Sequence, residues 1–141
     1  MICNVNCAGG DPDGALAIAT ALLQHRFAVH CRIVGRCSSS AALVAMAADR
    51  RSIAASGSVL LHRAMRLCTS EQWTNLKALP QLAHEEMNDR LNDIDDAQVA
   101  LLVLRLGISE DAARSWLLED RKLTPQEALE RGFVHEIDGD S

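Results

Sequence analysis

"AVHCRIVGRCSSSAALVAMAADRR", residues Ala28–Arg51, decides how this chain is read. "AVHCRIVG" has the length and β-branched content of a short strand ending at Gly35. A serine run behind Cys37 follows, and "AALVAMAADRR" then reads as an alanine-rich helix. A strand entering a helix through a tight polar turn is the unit of a parallel sheet, because a parallel neighbour requires a crossover. The serines Ser38, Ser39 and Ser40 have two readings. Their hydroxyls either satisfy the free amides of a helix start, or the turn presents one of them as a nucleophile.

Upstream, Ile2–Asn6 reads as a strand running into "CAGGDPDG", where Gly9 and Gly10 permit a sharp turn. Asp11 is suited to an N-cap and Pro12 to the first helical position, and "ALAIATALLQHR" carries that helix to about Arg26. Downstream, "SIAASGSVLLH" reads as short strands on either side of Ser56-Gly57. A long helical region is expected from Ser70 to Leu106, with Pro80 either kinking it or marking its true start. Its stripe of Leu76, Leu79, Ala83, Met87, Leu91, Ile94, Gln98, Leu101 and Arg105 is mostly apolar. Ser109 caps a shorter helix through Leu118, "TPQE" at Thr124–Glu127 is a capping box, Gly132 ends that last helix, and "FVHEI" closes as a strand. The expectation is one α/β domain over residues 1–141, with parallel βαβ units and a long protruding helix.

The bulk properties narrow the function. A net charge of −5, scattered arginines and few aromatics exclude a nucleic-acid partner. No run approaches the roughly 20 apolar residues of a membrane span. "MICNVNC" lacks the basic and apolar regions of a secretory signal, and the odd number of cysteines (Cys3, Cys7, Cys31, Cys37 and Cys68) points to free thiols, so a cytoplasmic setting is expected. No CxxC or HxxxH pair suggests a metal, and no cofactor is implied.

In parallel α/β sheets, sites gather where strands end and helices begin. Gly9-Gly10 and Cys37–Ser40 are two such places, one offering backbone donors and the other a hydroxyl. A serine hydroxyl needs a general base at neutral pH. His62, ending the apolar "SVLLH", is placed to supply one.

In their order along the chain these residues resemble the proteolytic subunit of the Clp protease, within the Clp protease/crotonase superfamily. The family pattern N-S-P-G-G corresponds to "NCAGG" at Asn6–Gly10, and G-x-x-x-S-M-G-A to "GRCSSSAA" at Gly35–Ala42. M-I-H-Q-P corresponds to "VLLHRA" at Val59–Ala64, and the C-terminal D-x-F-L-S/T-A-x-E-A pattern to "DRKLTPQEALERGFVHE" at Asp120–Glu136. The last motif is the most specific. The resemblance implies a Clp-protease-like layered fold and a serine hydrolase cleaving peptide or related acyl bonds through an acyl-enzyme. It makes Ser39 the nucleophile, His62 the base and Asp120 the group orienting the histidine. The backbone amides of Gly10 and Ser40 would form the oxyanion hole, and Gly9 and Arg63 fall where the family binds extended peptide.

The residues leave alternatives open. Ser38 or Ser40 becomes the reactive hydroxyl if the turn slips by one, and Cys37 at the strand end is a further candidate. Ala8, Ala41 and Arg63-Ala64 depart from the family pattern. Ala41 and Arg63 favour an idle scaffold or binding subunit on the same fold; a crotonase-like acyl-coenzyme A enzyme is a third reading. The resemblance also implies a peptide or protein substrate and a homo-oligomer, with the Leu76–Arg105 helix as a contact. The family segment that meets an ATPase partner has no counterpart before the Gly-Gly strand, so that partner is not expected.

Overall fold

The computed structural model describes residues 1–64, 74, 77–78 and 80–139. It is a mixed α/β fold, as the sequence implies, built on a sheet with the order β5 (Lys122–Leu123), β4 (Ser58–Leu60), β2 (His30–Ser38), β3 (Arg50–Ala54) and β6 (Glu136–Asp138), with β1 (Ile2–Cys7) paired to β2. β1 (Ile2–Cys7) lies parallel to β2 (His30–Ser38), Cys3 opposite Cys31 and Cys7 opposite Cys37. The register shifts between Val5 and Cys7. There Asn6 folds back, its Oδ1 accepting the Arg36 N–H at 3.0 Å. A Cβ on Gly35 would lie 2.4 Å from that oxygen, so Gly35 is demanded by a close approach and not by a chain end. β2 runs past Gly35 to Ser38, further than the sequence suggests, because Arg36–Ser38 pair with Ser58–Leu60.

The extra length divides the labour of β2. Its first half, His30–Ile33, pairs with β3 (Arg50–Ala54), and its second half, Arg36–Ser38, pairs with β4 (Ser58–Leu60), both in parallel. β3 continues to β6 (Glu136–Asp138), again parallel, while β4 carries the short antiparallel β5 (Lys122–Leu123). β2 therefore changes partner between Ile33 and Arg36, and β4 accompanies it to Ser38, in the serine run.

Helix α1 (Pro12–Leu23) starts as expected. The Asp11 carboxylate accepts from the Asp13 and Gly14 amides, and Pro12 occupies the first turn. It ends at Leu23, short of Arg26. α2 (Ser40–Met46) is also shorter than its sequence suggests, because Arg50 and Arg51 belong to β3. Arg51 is 1% exposed, and its guanidinium donates to the carbonyls of Phe133 (2.5 Å) and Ala48 (2.9 Å). An arginine that stitches the end of one helix region to the approach of β6 has no signature in hydrophobic periodicity.

α3 (Gln81–Leu106) begins directly after Pro80, which settles that residue as a start and not a kink. Gly107, at φ 66°, ends it in the left-handed conformation. The expected stripe faces two environments. Ile94, Gln98 and Leu101 are buried, whereas Ala83, Met87, Leu91 and Arg105 are half-buried; beside the stripe, Val99 and Leu102 are buried and Leu82 is exposed. Ser70, Leu76 and Leu79 lie outside the described residues, as does Cys68. α4 (Glu110–Glu119) is capped by Ser109, whose hydroxyl accepts from Ala112, and α5 (Pro125–Glu130) carries the expected reciprocal capping box of Thr124 and Glu127. The last strand is displaced to Glu136–Asp138, leaving Phe133 and Val134 as buried residues ahead of it.

Candidate functional site

Ser39 follows β2, between a strand that ends at Ser38 and a helix that begins at Ser40. Its backbone has φ 59° and ψ −126°, a conformation that a residue with a Cβ rarely adopts. Two contacts hold it there. The Ser39 N–H donates to the Leu60 carbonyl at 2.8 Å, extending the β2–β4 pairing by one residue, and the Ser39 carbonyl accepts from Ala42 at 2.9 Å. The Ser39 side chain makes no capping hydrogen bond, so at this position the hydroxyl does not serve as a helix cap.

Gly9 presses against the serine from the opposite side. A Cβ on Gly9 would stand 2.8 Å from Ser39 Cβ and 3.0 Å from the Ser38 carbonyl, and Gly9 has φ 107°. Glycine is required here both by contact and by conformation. Next to it, Gly10 and Ser40 form a closed pair: the Gly10 N–H donates to Ser40 Oγ at 3.2 Å, and that hydroxyl donates to the Gly10 carbonyl at 2.9 Å.

His62 lies beyond β4, not within it, and lines the same cleft as Ser39, Ser40 and Gly10, a space of about 440 Å³ with Leu43 and Ile94 on its apolar wall. Its Nδ1 is 2.6 Å from the Arg63 carbonyl. A carbonyl accepts only, so Nδ1 is the donor in this contact, and in a neutral ring the lone pair falls on Nε2. Asp120 terminates α4 in a left-handed conformation, φ 47° and ψ 47°, and is exposed. Among the described residues no hydrogen bond joins Ser39 to His62 or His62 to Asp120. The antiparallel register does relate the last two. Leu60 pairs with Lys122 and Val59 with Leu123, so two further steps of the same ladder would set His62 opposite Asp120.

Cys37 is fully buried within β2, and burial pushes its thiol far above the ordinary range, with Cys31 and Cys7 adding to the effect. A thiol in that state is a poor nucleophile. Ser38 is 6% exposed, while Ser39 and Ser40 are half-buried. Arg63 is exposed, its guanidinium 3.5 Å from Asp95.

Asp95 and Gln98 are additions that the motifs do not contain. Asp95 Oδ1 accepts the Ala64 N–H at 2.6 Å, and the Gln98 amide reaches the His62 carbonyl and Asp95 Oδ1, each at 3.4 Å. The signal in the sequence is a glutamine at an otherwise apolar position of the long-helix stripe.

A comparison with protein-family models matches residues 1–140 to the Clp protease family. No curated protein matches the chain. No helix among the described residues is long and apolar enough to cross a membrane.

Proposed function

The chain belongs to the Clp protease family, and on that footing we propose that it is a serine peptidase whose nucleophile is Ser39. Members of this family generally act as oligomers on peptide substrates. The observation that carries the reading is the backbone of Ser39, at φ 59° in a cleft that His62 also lines. Strain of this kind costs roughly 1–3 kcal/mol and is retained where geometry matters more than stability.

The chemistry follows from the atoms available. Ser39 Oγ attacks the peptide carbonyl carbon as His62 Nε2 takes its proton, giving a tetrahedral oxyanion. The backbone amides of Gly10 and Ser40 stabilise that oxygen; a lost donor of this kind typically costs about 3–4 kcal/mol. The proton then passes from Nε2 to the departing amine nitrogen as the C–N bond breaks, leaving an ester on Ser39. Water, deprotonated by the same nitrogen, then attacks the ester carbon; the C–Oγ bond breaks, the proton returns to Ser39 Oγ and the acid is released. Asp120 supports the imidazole by accepting from Nδ1–H, a contact that replaces the one to the Arg63 carbonyl. Catalytic hydrogen bonds often tighten only when substrate is bound. Peptide would run past Gly9 and Arg63.

A homo-oligomer is part of the reading. Along α3, half-buried Ala83, Met87 and Leu91 and exposed Leu82, Val103 and Leu104 are available for a subunit contact. The alternative is a scaffold on the same fold with an idle site; it is favoured by the Ser40 hydroxyl occupying the Gly10 amide. A library of short fluorogenic peptides separates the two. Turnover by wild type and none by Ser39→Ala supports the peptidase; equal background from both, with an intact oligomer, supports the scaffold.

A further inference from the structure

We infer that Asp95, assisted by Gln98, is a positioning residue for His62, holding the imidazole from the side of the long helix. The inference rests on the reading of His62 as the general base. His62, Arg63 and Ala64 follow β4 without regular pairing, so the segment must be fixed by side chains. Asp95 and Gln98 lie one turn apart on α3, and each is only 6% exposed. A buried carboxylate is retained where it is paired and hydrogen-bonded. Asp95 meets that condition through this segment: it accepts from the Ala64 amide at 2.6 Å and faces the Arg63 guanidinium at 3.5 Å. The first contact is short and charge-assisted, the stronger kind.

Gln98 completes the grip. Its amide reaches the His62 carbonyl and Asp95 Oδ1, both at 3.4 Å, and its side chain borders the cleft. The backbone of the base is thereby held by its own carbonyl, by its neighbour's guanidinium and by the next amide, all from one helix. The same helix buries Leu101 and Leu102 in the core, and Arg105 binds the carbonyls of Met46 and Ala47 at the end of α2, the helix that follows Ser39. Nucleophile and base are thus referred to one rigid element. A misplacement of about 1 Å at such a base costs up to about 10²-fold in rate.

The test compares wild type, Asp95→Ala, Asp95→Asn and Gln98→Met in two assays: acylation by a fluorophosphonate and turnover of a fluorogenic peptide. Asp95→Ala is expected to lower kcat and the acylation rate roughly 10- to 100-fold with KM little changed. Asp95→Asn keeps an oxygen acceptor for the Ala64 amide and is expected to recover most of that loss. Gln98→Met, near in volume, is expected to lose a few-fold; it also decides the matter if Asp95→Ala does not fold. Folded variants that react like wild type overturn the inference and leave the serine-peptidase reading standing. A parallel fall in activity and thermal midpoint, without recovery in Asp95→Asn, overturns it in favour of a purely structural role. A wild type that neither labels nor cleaves overturns the peptidase reading, and this inference with it.

Discussion

Gly9 and Ser39 are packed so closely that a methyl group on the glycine would sit 2.8 Å from the serine Cβ. The two residues come from different strand ends, β1 and β2, which the parallel pairing of those strands brings together. The contact is what makes the site local: the Gly-Gly turn and the serine turn cannot move independently.

Gly9→Ala should therefore damage the site more than the fold. The new methyl meets Ser39 and the Ser38 carbonyl, and φ 107° is strained for alanine. Overpacking typically costs about 1–3 kcal/mol. Loss of acylation at Ser39 in protein that is still folded by circular dichroism is the expected result.

Ser39→Gly should be more stable than Ser39→Ala, by about 1 kcal/mol, because glycine accepts positive φ without the Cβ penalty. Both should be inactive. Denaturant unfolding of the pair reads the strain directly, since neither carries the hydroxyl.

Ser40→Ala should accelerate acylation. The Ser40 hydroxyl accepts from the Gly10 N–H at 3.2 Å, and an oxyanion bound in the proposed hole would have to displace it. A neutral hydrogen bond is worth about 0.5–1.5 kcal/mol net, equivalent to roughly a 2- to 10-fold gain in rate when it is removed. Stopped-flow labelling of the two proteins measures it.

His135 gives the fold a dependence on pH away from the cleft. Its Nδ1 accepts the Arg51 N–H at 2.9 Å, which requires the neutral ring. Partial burial, and then the charge of Arg51, hold its pKa below the usual 6.5. The unfolded chain binds that proton more readily, so this contribution is complete above about pH 6.5 and is lost as pH falls toward the folded value. The Glu127 and Glu136 carboxyls are pulled down by hydrogen bonds to Arg121 and Arg50. Their contributions are lost only in more acid solution, below about pH 4.5. The urea midpoint should fall between about pH 7.5 and 5.5, and His135→Gln should flatten that fall.

Much of this was legible in the chain. Asp11-Pro12 and "TPQE" announce helix starts through chemistry that acts within a few residues, and both are found where they read. Errors arise where a residue answers to a distant neighbour. Gly35 looks like a strand end but accommodates Asn6, and Arg51 looks like the end of a helix but is buried against Phe133. β5 is only Lys122–Leu123, too short for any periodicity, yet its register with β4, continued two residues past the last pair, would set Asp120 opposite His62. The serine run shows the same limit. Local sequence permits a cap or a nucleophile, and the uncapped, positive-φ geometry of Ser39 is set by Gly9 and by the pairing to Leu60.

Intact-mass labelling with a fluorophosphonate tests the central claim most directly, on wild type beside Ser39→Ala, Ser38→Ala and Cys37→Ala. A single adduct, lost only in Ser39→Ala, is the predicted result and establishes an activated serine at the end of β2. No adduct on folded wild type, or one that persists in Ser39→Ala, contradicts it.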